Sequence, residues 1–307
     1  MSEEKYFQFP LFLMRDLTTN KEQALNNIIR YGLYSMSLKI QTTIEDAAKQ
    51  LMYCYYRDRA SLPKNLEGKM GLYINHKQLT LDEDYNGFNG ETFNPELEIE
   101  QLLEIFKTDL EFQAKVIDFY KIRQAYKAIG VTGDYTNAVR VGKQIQNSIP
   151  KGEPMPMMNK NQLFEFRDND KKEFDLMLFA INIGIRSIIG QKSYSKTNKK
   201  MILCRAFGYS SVKHLPDIMP ELFHKYSGRY HFDRLLKMIL IGNWNIISYA
   251  EKMRGMYVGF KSKITKEKLA EIAEMNKYKA KIEALKAENN AAREKALNKI
   301  KLQQTHQ

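Results

Sequence analysis

A cluster of helix-breaking residues divides this chain of 307 residues into two parts. Pro150, Gly152, Pro154 and Pro156 stand close together, and a proline inside a helix removes a backbone donor and clashes with the preceding turn. We therefore predict a linker at residues 150–172, between a helical N-terminal domain at residues 1–149 and a second domain at residues 173–264. The length suits two domains of roughly 100 to 200 residues each.

Apolar residues recur at helical spacing through most of the N-terminal part, which favours amphipathic helices. The predicted helices span residues 21–39, 44–59, 94–106, 112–129 and 135–149. Thr43 and Asp134 are in place to cap two of these helices, and Gly130 to end another. The pattern weakens between Gly71 and Gly90, where we expect a small strand or turn that includes Leu72 to Ile74.

The segment from Lys266 to Leu302 contains no glycine or proline and is rich in alanine, glutamate and lysine. These residues are strong helix formers, so we predict an extended charged helix over residues 265–307. Part of the helix follows a heptad, with residues alternately three and four positions apart: Met275, Tyr278, Ile282, Leu285, Asn289, Ala292 and Ala296. Two readings remain open: a single solvated helix, or a coiled-coil homodimer through residues 266–302.

The formal net charge of +12 favours a polyanionic partner, because phosphates that meet lysine or arginine release counterions. Nucleic acid and an anionic membrane surface both meet this condition, and a solvated positive face is the alternative without a ligand. The most apolar stretch, Phe174 to Ile189, is interrupted by charged residues and is short for a bilayer crossing, so we expect a core helix and no membrane partner.

The cysteine count and the N-terminal residues indicate the cellular compartment of the protein. Cys54 and Cys204 are the two cysteines, too few for a disulfide framework or a cysteine-rich zinc site. The segment Met1 to Leu13 lacks the cationic start and apolar length of a secretory signal. We expect a cytoplasmic protein.

The segment Tyr194 to Phe260 has the features of a helix-turn-helix. Phe174 to Ile189 would support it, and Lys199 to Ala206 would form the second helix, capped by Thr197 or Asn198. Gly208 supplies the turn because it tolerates positive φ. A short third helix would begin at Ser210 or Ser211 and end before Pro216.

A further helix and two β-prone runs follow. The helix spans His231 to Ile241, and the runs Ile246–Tyr249 and Met256–Phe260 are joined by a short basic turn that ends at Gly255, which makes a hairpin plausible. In this order the segment resembles a winged helix-turn-helix, although the resemblance is to an architecture and covers less than a third of the chain. The fold class we predict is therefore mainly α with a small β-hairpin.

The resemblance implies double-stranded DNA as the partner and suggests a role for each polar residue. The first residues of the third helix would contact base edges: Ser210, Ser211, Lys213 and His214. Residues of the basic turn and the second helix would contact phosphates: Lys196, Thr197, Lys199, Lys200 and Arg205. The hairpin tip and the flank that follows would act as the wing: Lys252, Arg254, Lys261 and Lys263.

Winged-helix proteins with two such domains include initiators of plasmid and phage replication. The N-terminal part carries basic helical residues at Lys121 to Arg123 and at Arg140 to Lys143, so it could be a second, degenerate copy. Replication initiation, or regulation of a phage or plasmid, is the process this analogy suggests. The alternative is a structural or assembly protein that oligomerises through its C-terminal helix.

Enzymatic motifs are weak. Asp82 to Gly87 matches the start of a calcium loop, but the twelfth position is Phe93 where a bidentate glutamate is required. His231 to Arg234 matches the His-x-x-Arg element of tyrosine recombinases, with Tyr249 or Tyr257 following too closely for that pattern. No lysine-containing phosphate loop occurs, and the five histidines do not cluster at metal-ligand spacing. We predict no catalytic residue, cofactor or metal, and keep a DNA-processing enzyme as a second alternative.

Overall fold

A computed structural model of the protein describes residues 6–81, 95–250 and 255–304. The described residues form twelve α-helices and two small antiparallel sheets, which confirms the mainly helical prediction. The chain divides into two compact units, Met1–Asp170 and Lys171–Gln307. Within the described ranges, none of the helices combines the length and the apolar character that a membrane span requires.

The first unit is a helical bundle in which α1 packs against α5, α6 and α7, and α2 packs against α4 and α5. Its core is apolar and includes Leu51, Phe106 and Phe112. In chain order its elements are β1 (Tyr6–Gln8), α1 (Lys21–Ser37), α2 (Ile44–Arg57), α3 (Lys64–Leu81), α4 (Pro95–Thr108), α5 (Leu110–Ile129), α6 (Tyr135–Ser148), β2 (Met157–Asn159) and α7 (Lys160–Asp168).

Residues 150–168, most of the predicted linker, belong to the first unit. Strand β2 pairs antiparallel with β1, with Phe7 opposite Met158. The proline carbonyls extend this contact, because Phe9 N donates to Pro156 O at 3.2 Å and Leu11 N donates to Pro154 O at 2.9 Å. Prolines favour an extended chain and keep their carbonyl acceptors, so this stretch pairs with the first residues of the unit instead of leaving it.

The predicted helix caps at Thr43 and Asp134 and the predicted helix end at Gly130 are confirmed. The Thr43 hydroxyl accepts a bond from Asp46 N at 3.0 Å, and Asp134 Oδ1 accepts one from Asn137 N at 2.9 Å. Helix α5 ends at Gly130, which has a φ of 77°. Such caps depend on residues three or four positions apart, so they are readable from the sequence.

The predicted strand or turn around Leu72 to Ile74 is wrong, because α3 runs through it. Among residues 64–73 of α3 the buried ones are Leu66 and Met70, and two positions are too few to give the sequence a clear helical period. The calcium-like segment beginning at Asp82 lies in residues 82–94, outside the described part of the chain.

The second unit consists of five helices and a three-stranded sheet in its described residues. In chain order the elements are α8 (Glu173–Ile189), β3 (Tyr194–Thr197), α9 (Lys199–Ala206), α10 (Glu221–Ser227), α11 (Arg229–Ile241), β4 (Ile246–Ala250), β5 (Met256–Phe260) and α12 (Lys266–Gln304). Helix α8 is the expected core helix, with Ile181 and Ile185 fully buried. The predicted hairpin is present as the antiparallel pair β4 and β5.

Both neighbours of β5 run antiparallel to it, in the order β3-β5-β4. One face of the sheet is covered by α12, where Tyr257 forms a cluster with Leu269 and Ala273. The other face lies toward α8, where the Arg186 guanidinium is 5.6 Å from the ring of Phe260. Since side chains alternate along a strand, the sheet separates α8 from α12.

Candidate nucleic-acid interface

The segment after α9 differs from the expected helix-turn-helix. Gly208 takes a φ of 80° and makes the predicted turn. The third helix expected from Ser210 or Ser211 is wrong, since the chain forms a single 3-10 turn at Val212–His214 and Ser211 makes no side-chain cap. Pro216 and Pro220 prevent helical extension here. The long helix of this region comes later, as α11, after the short helix α10.

Helix α11 is buried on one side and open on the other. Phe232, Leu235 and Ile239 face the core at helical spacing. The opposite face is exposed and consists of Arg229, Tyr230, Asp233, Arg234, Lys237, Met238 and Ile241. We call these seven residues the α11 face.

The α11 face combines positive charge with exposed apolar groups. It has three cationic side chains and one carboxylate, Asp233, which lies 3.5 Å from Arg229. Tyr230 is 72% exposed and Ile241 is 69% exposed, and neither is covered within its own unit. Cations attract phosphates, while aromatic and aliphatic groups can contact bases. This face therefore has the chemistry of a nucleic-acid-binding helix.

Two lysines hold the ends of α11 in place. Lys199 Nζ donates to the carbonyl of Ser227, just before α11, at 2.5 Å. Lys261 Nζ donates to the carbonyl of Leu240, in the last turn, at 3.1 Å. The sequence assigns Lys199 to phosphates and Lys261 to the wing, whereas here both ammonium groups bond to the backbone at the ends of α11. They position the helix.

A carboxylate fixes α10 against the start of α8. Glu173 accepts from Lys225 Nζ at 3.1 Å and from the Tyr226 hydroxyl at 2.9 Å. The bond from Lys225 lowers the pKa of Glu173. Burial and the bond to Glu173 raise the pKa of Tyr226 to about 12, so its hydroxyl stays a donor at neutral pH. The segment that leads into α11 is thereby attached to the core helix.

The base of the β4–β5 hairpin is tied by residues that sequence reasoning missed. Arg186 of α8 donates to the carbonyl of Trp244 at 2.8 Å. Asn245 has a φ of 56°, and its side chain accepts from Ser262 N at 3.0 Å. Asparagine is one of the few residues that adopt this backbone region readily, which is the signal that could have pointed to Asn245.

The residues expected at phosphates from β3 and α9 occupy different environments. Lys196 is exposed, and its ammonium lies 5.4 Å from the ring of Tyr257 on the α12 side of the sheet. Thr197 is buried, which argues against a phosphate contact. Lys200 is exposed at the start of α9, next to the Lys199 that contacts the α10–α11 junction, and Arg205 is half-buried.

The residues expected at base edges lie in the loop after α9. Ser210 Oγ and His214 Nδ1 are 2.7 Å apart, Ser211 is half-buried and Lys213 is exposed. Of the residues expected in the wing, Lys263 donates to the carbonyl of Gln191 at 3.4 Å. Lys252 and Arg254 lie outside the described residues.

The residues that match the tyrosine recombinase element do not converge. Tyr257 is 1% exposed, and its hydroxyl accepts from Asn276 of α12 at 3.3 Å. The Tyr249 hydroxyl donates to Glu274 of α12 at 3.3 Å, whereas Arg234 stacks on Phe174 of α8 at 4.8 Å. In the described part of the chain, no group of three or more histidine, cysteine or acidic residues is placed to hold a metal ion.

Comparisons with protein-family models, with curated proteins and with solved structures found no match to this chain.

Proposed function

We propose that the second unit binds double-stranded DNA as a winged helix, with α11 as the recognition helix and the β4–β5 hairpin as the wing. The observation that carries the proposal is the α11 face, which exposes Arg229, Arg234 and Lys237 beside Tyr230 and Ile241. Cations and exposed apolar side chains that share one face of a helix suit contact with another molecule.

The order of the elements supports the proposal. Strand β3 lies between the first two helices and pairs with β5, and the hairpin of β4 and β5 follows α11. A winged helix has its helices and strands in the same order, so we take α10 as an insertion before the proposed recognition helix. The sequence suggests that Ser210 to His214 contact the bases, and the proposal gives this role to α11 instead.

The dimensions of α11 suit a DNA groove. Its 13 residues span about 20 Å, and the major groove of B-DNA, ~12 Å wide, admits an α-helix. The first turn of a recognition helix contacts base edges, which assigns that role to Arg229 and Tyr230. Lys237 and the exposed Lys200 and Lys213 are then phosphate contacts.

Binding to duplex DNA across a salt series tests the proposal. Lys237→Ala should weaken binding roughly tenfold and reduce the slope of log K against log salt by about 0.9, since one phosphate contact is lost. Asp233→Asn should change affinity in the opposite direction, because it removes a carboxylate from a face that meets phosphates. Lys151→Ala in the first unit is the control and should leave the affinity of the second unit for DNA unchanged.

A second pair of variants tests whether α11 or the segment Ser210 to His214, which the sequence favours, determines the DNA sequence preference. Replacing Lys213 and His214 together by alanine should weaken binding without changing its sequence preference, whereas Tyr230→Ala should relax that preference. If the loop variant alone loses specificity, α11 is not the recognition helix. Absence of duplex binding by the wild-type chain at low salt would overturn the proposal altogether.

A further inference from the structure

After its first turns, helix α12 no longer packs against the sheet of the second unit. Leu269 and Ala273 are fully buried against the sheet, and Asn276 makes a hydrogen bond to Tyr257. From Glu274 to Leu297 every residue is exposed apart from the half-buried Ile282. The helix has 39 residues, about 58 Å in length, so more than half of it extends beyond the sheet.

The exposed part carries an apolar stripe. Met275 is 52% exposed, Tyr278 is 67% exposed and Leu285 is 51% exposed. With Met275 taken as the first a position, the a positions are Met275, Ile282, Asn289 and Ala296, and the d positions are Tyr278, Leu285 and Ala292. Exposed apolar side chains at a and d positions form the face of a helix that packs against a second helix in a coiled coil.

We propose that residues 275–297 pair with the same residues of a second copy in a parallel two-stranded coiled coil. This proposal does not depend on DNA binding by α11. The occupant of the stripe is a second copy because the charges that flank the stripe complement the same helix, and the e positions favour the parallel orientation.

The e positions disfavour an antiparallel pair. They are Lys279, Lys286 and Arg293, all cationic. Antiparallel helices place e positions opposite each other, so three cations on one helix would face three on the other. Like charges across such an interface are unfavourable and direct partner orientation.

A parallel pair places each g position opposite the e position five residues later on the other helix. Glu274 then meets Lys279 of the second copy, and Glu288 meets Arg293 of the second copy. Lys281 meets Lys286 of the second copy, the one repulsive pair among these three. Attractive pairs prevail in the parallel arrangement.

Asn289 supports a coiled coil of two helices. It occupies an a position between Leu285 and Ala292, and a single asparagine at a favours two-stranded, in-register pairing because each amide bonds to its counterpart. Parallel helices also place the sheets of both copies at the same end of the coil.

The first experiment measures mass by sedimentation equilibrium on the full chain. Wild type should be a dimer at micromolar concentration, and replacement of both Ile282 and Leu285 by serine should give a monomer. The matched control replaces Ala284 and Ala291, both outside the a and d positions, by serine and should remain a dimer. A monomeric wild type or an assembly of three or more copies would overturn the proposal.

The second experiment compares two substitutions that change charge equally. Lys281→Glu should tighten the dimer about fivefold, because it turns two symmetric repulsive pairs into attractive ones. Arg293→Glu should weaken the dimer by a similar factor, since Glu288 then faces glutamate. If either variant shifts the dimer constant in the opposite direction, the parallel register is wrong.

The third experiment tests orientation. Asn289→Cys should form a disulfide-linked dimer on mild oxidation, because identical a positions of a parallel pair approach within disulfide range. Ala291→Cys, on the outer side of the helix, should not, and neither should wild type, whose Cys54 and Cys204 are buried. A dimer by mass that fails to cross-link through Asn289→Cys would show that the two helices are not parallel in this register.

Discussion

Gly184 of α8 and Ala206 of α9 meet backbone to backbone. A Cβ added to Gly184 would lie 2.9 Å from the amide nitrogen of Ala206 and 2.7 Å from the carbonyl oxygen of Ile202. Both contacts are closer than real Cβ atoms tolerate, and both involve backbone that cannot rotate away. Glycine at position 184 therefore sets the separation of α8 and α9.

Gly184→Ala should destabilise the second unit by about 1 to 3 kcal/mol, because the added methyl group must push two packed helices apart. The single tryptophan, Trp244, lies in the second unit, so its fluorescence in a denaturant titration reports on this unit. Gly68→Ala is the control: this helical position in α3 has open space around it, and alanine there should stabilise the first unit by roughly 0.5 to 1 kcal/mol. An unchanged fluorescence midpoint for Gly184→Ala would contradict the close contact.

Arg186 links the core helix to the base of the hairpin, and Arg186→Met tests that link. The side chain is 8% exposed and bonds to Asn182 Oδ1 at 3.3 Å as well as to the carbonyl of Trp244. Methionine fills similar space but leaves that carbonyl without its arginine donor, so we expect a loss of about 2 to 4 kcal/mol in the second unit. The measurement is again the fluorescence midpoint.

Arg229→Met on the α11 face provides the comparison for Arg186. This arginine is exposed, so its replacement should change stability by less than about 0.5 kcal/mol. Equal effects from the two substitutions would show that Arg186 does not tie α8 to the hairpin.

Short-range features of the fold were readable from the sequence, and long-range ones were not. The cap at Asn198, the end of α9 at Ala206 and the hairpin of β4 and β5 each depend on neighbouring residues, and all three are found as predicted. The pairing of Phe7 with Met158 joins distant segments, and no local pattern specifies it.

The predicted third helix was wrong for a related reason. The sequence expectation placed this helix directly after the turn at Gly208, but the chain has a loop there, and the next helices are α10 and α11. The exposure of Tyr230 and Ile241 on α11 depends on which elements cover that helix in the folded unit. Burial is a property of the folded unit and is not present in the local sequence.

Asp109 makes the stability of the first unit sensitive to acid. Its carboxylate accepts from Lys69 and from Phe112 N, and these bonds lower its pKa from 3.8 to about 2. A lowered pKa in the folded state means that the carboxylate stabilises the unit above pH 4, and this stabilisation is lost as the pH falls from about 4 to about 2.

Asp109→Asn should therefore reduce the loss of stability between pH 5 and pH 3, because asparagine keeps a cap acceptor without a charge that acid can remove. Thermal unfolding of the helical signal by circular dichroism at both values is the measurement. Equal acid sensitivity in wild type and Asp109→Asn would contradict this assignment.

Lys199 and Lys200 are neighbours to which the sequence assigns one role, and the structure separates them. Lys199 Nζ is bonded to the carbonyl of Ser227, so Lys199→Met should lower the stability of the second unit by about 1 kcal/mol. Lys200 is exposed, so Lys200→Met should leave stability unchanged and weaken duplex binding several-fold, with a shallower salt dependence. Fluorescence unfolding and DNA titration on both variants measure the two effects. If Lys200→Met destabilises the unit while Lys199→Met does not, the assignment of the two lysines is reversed.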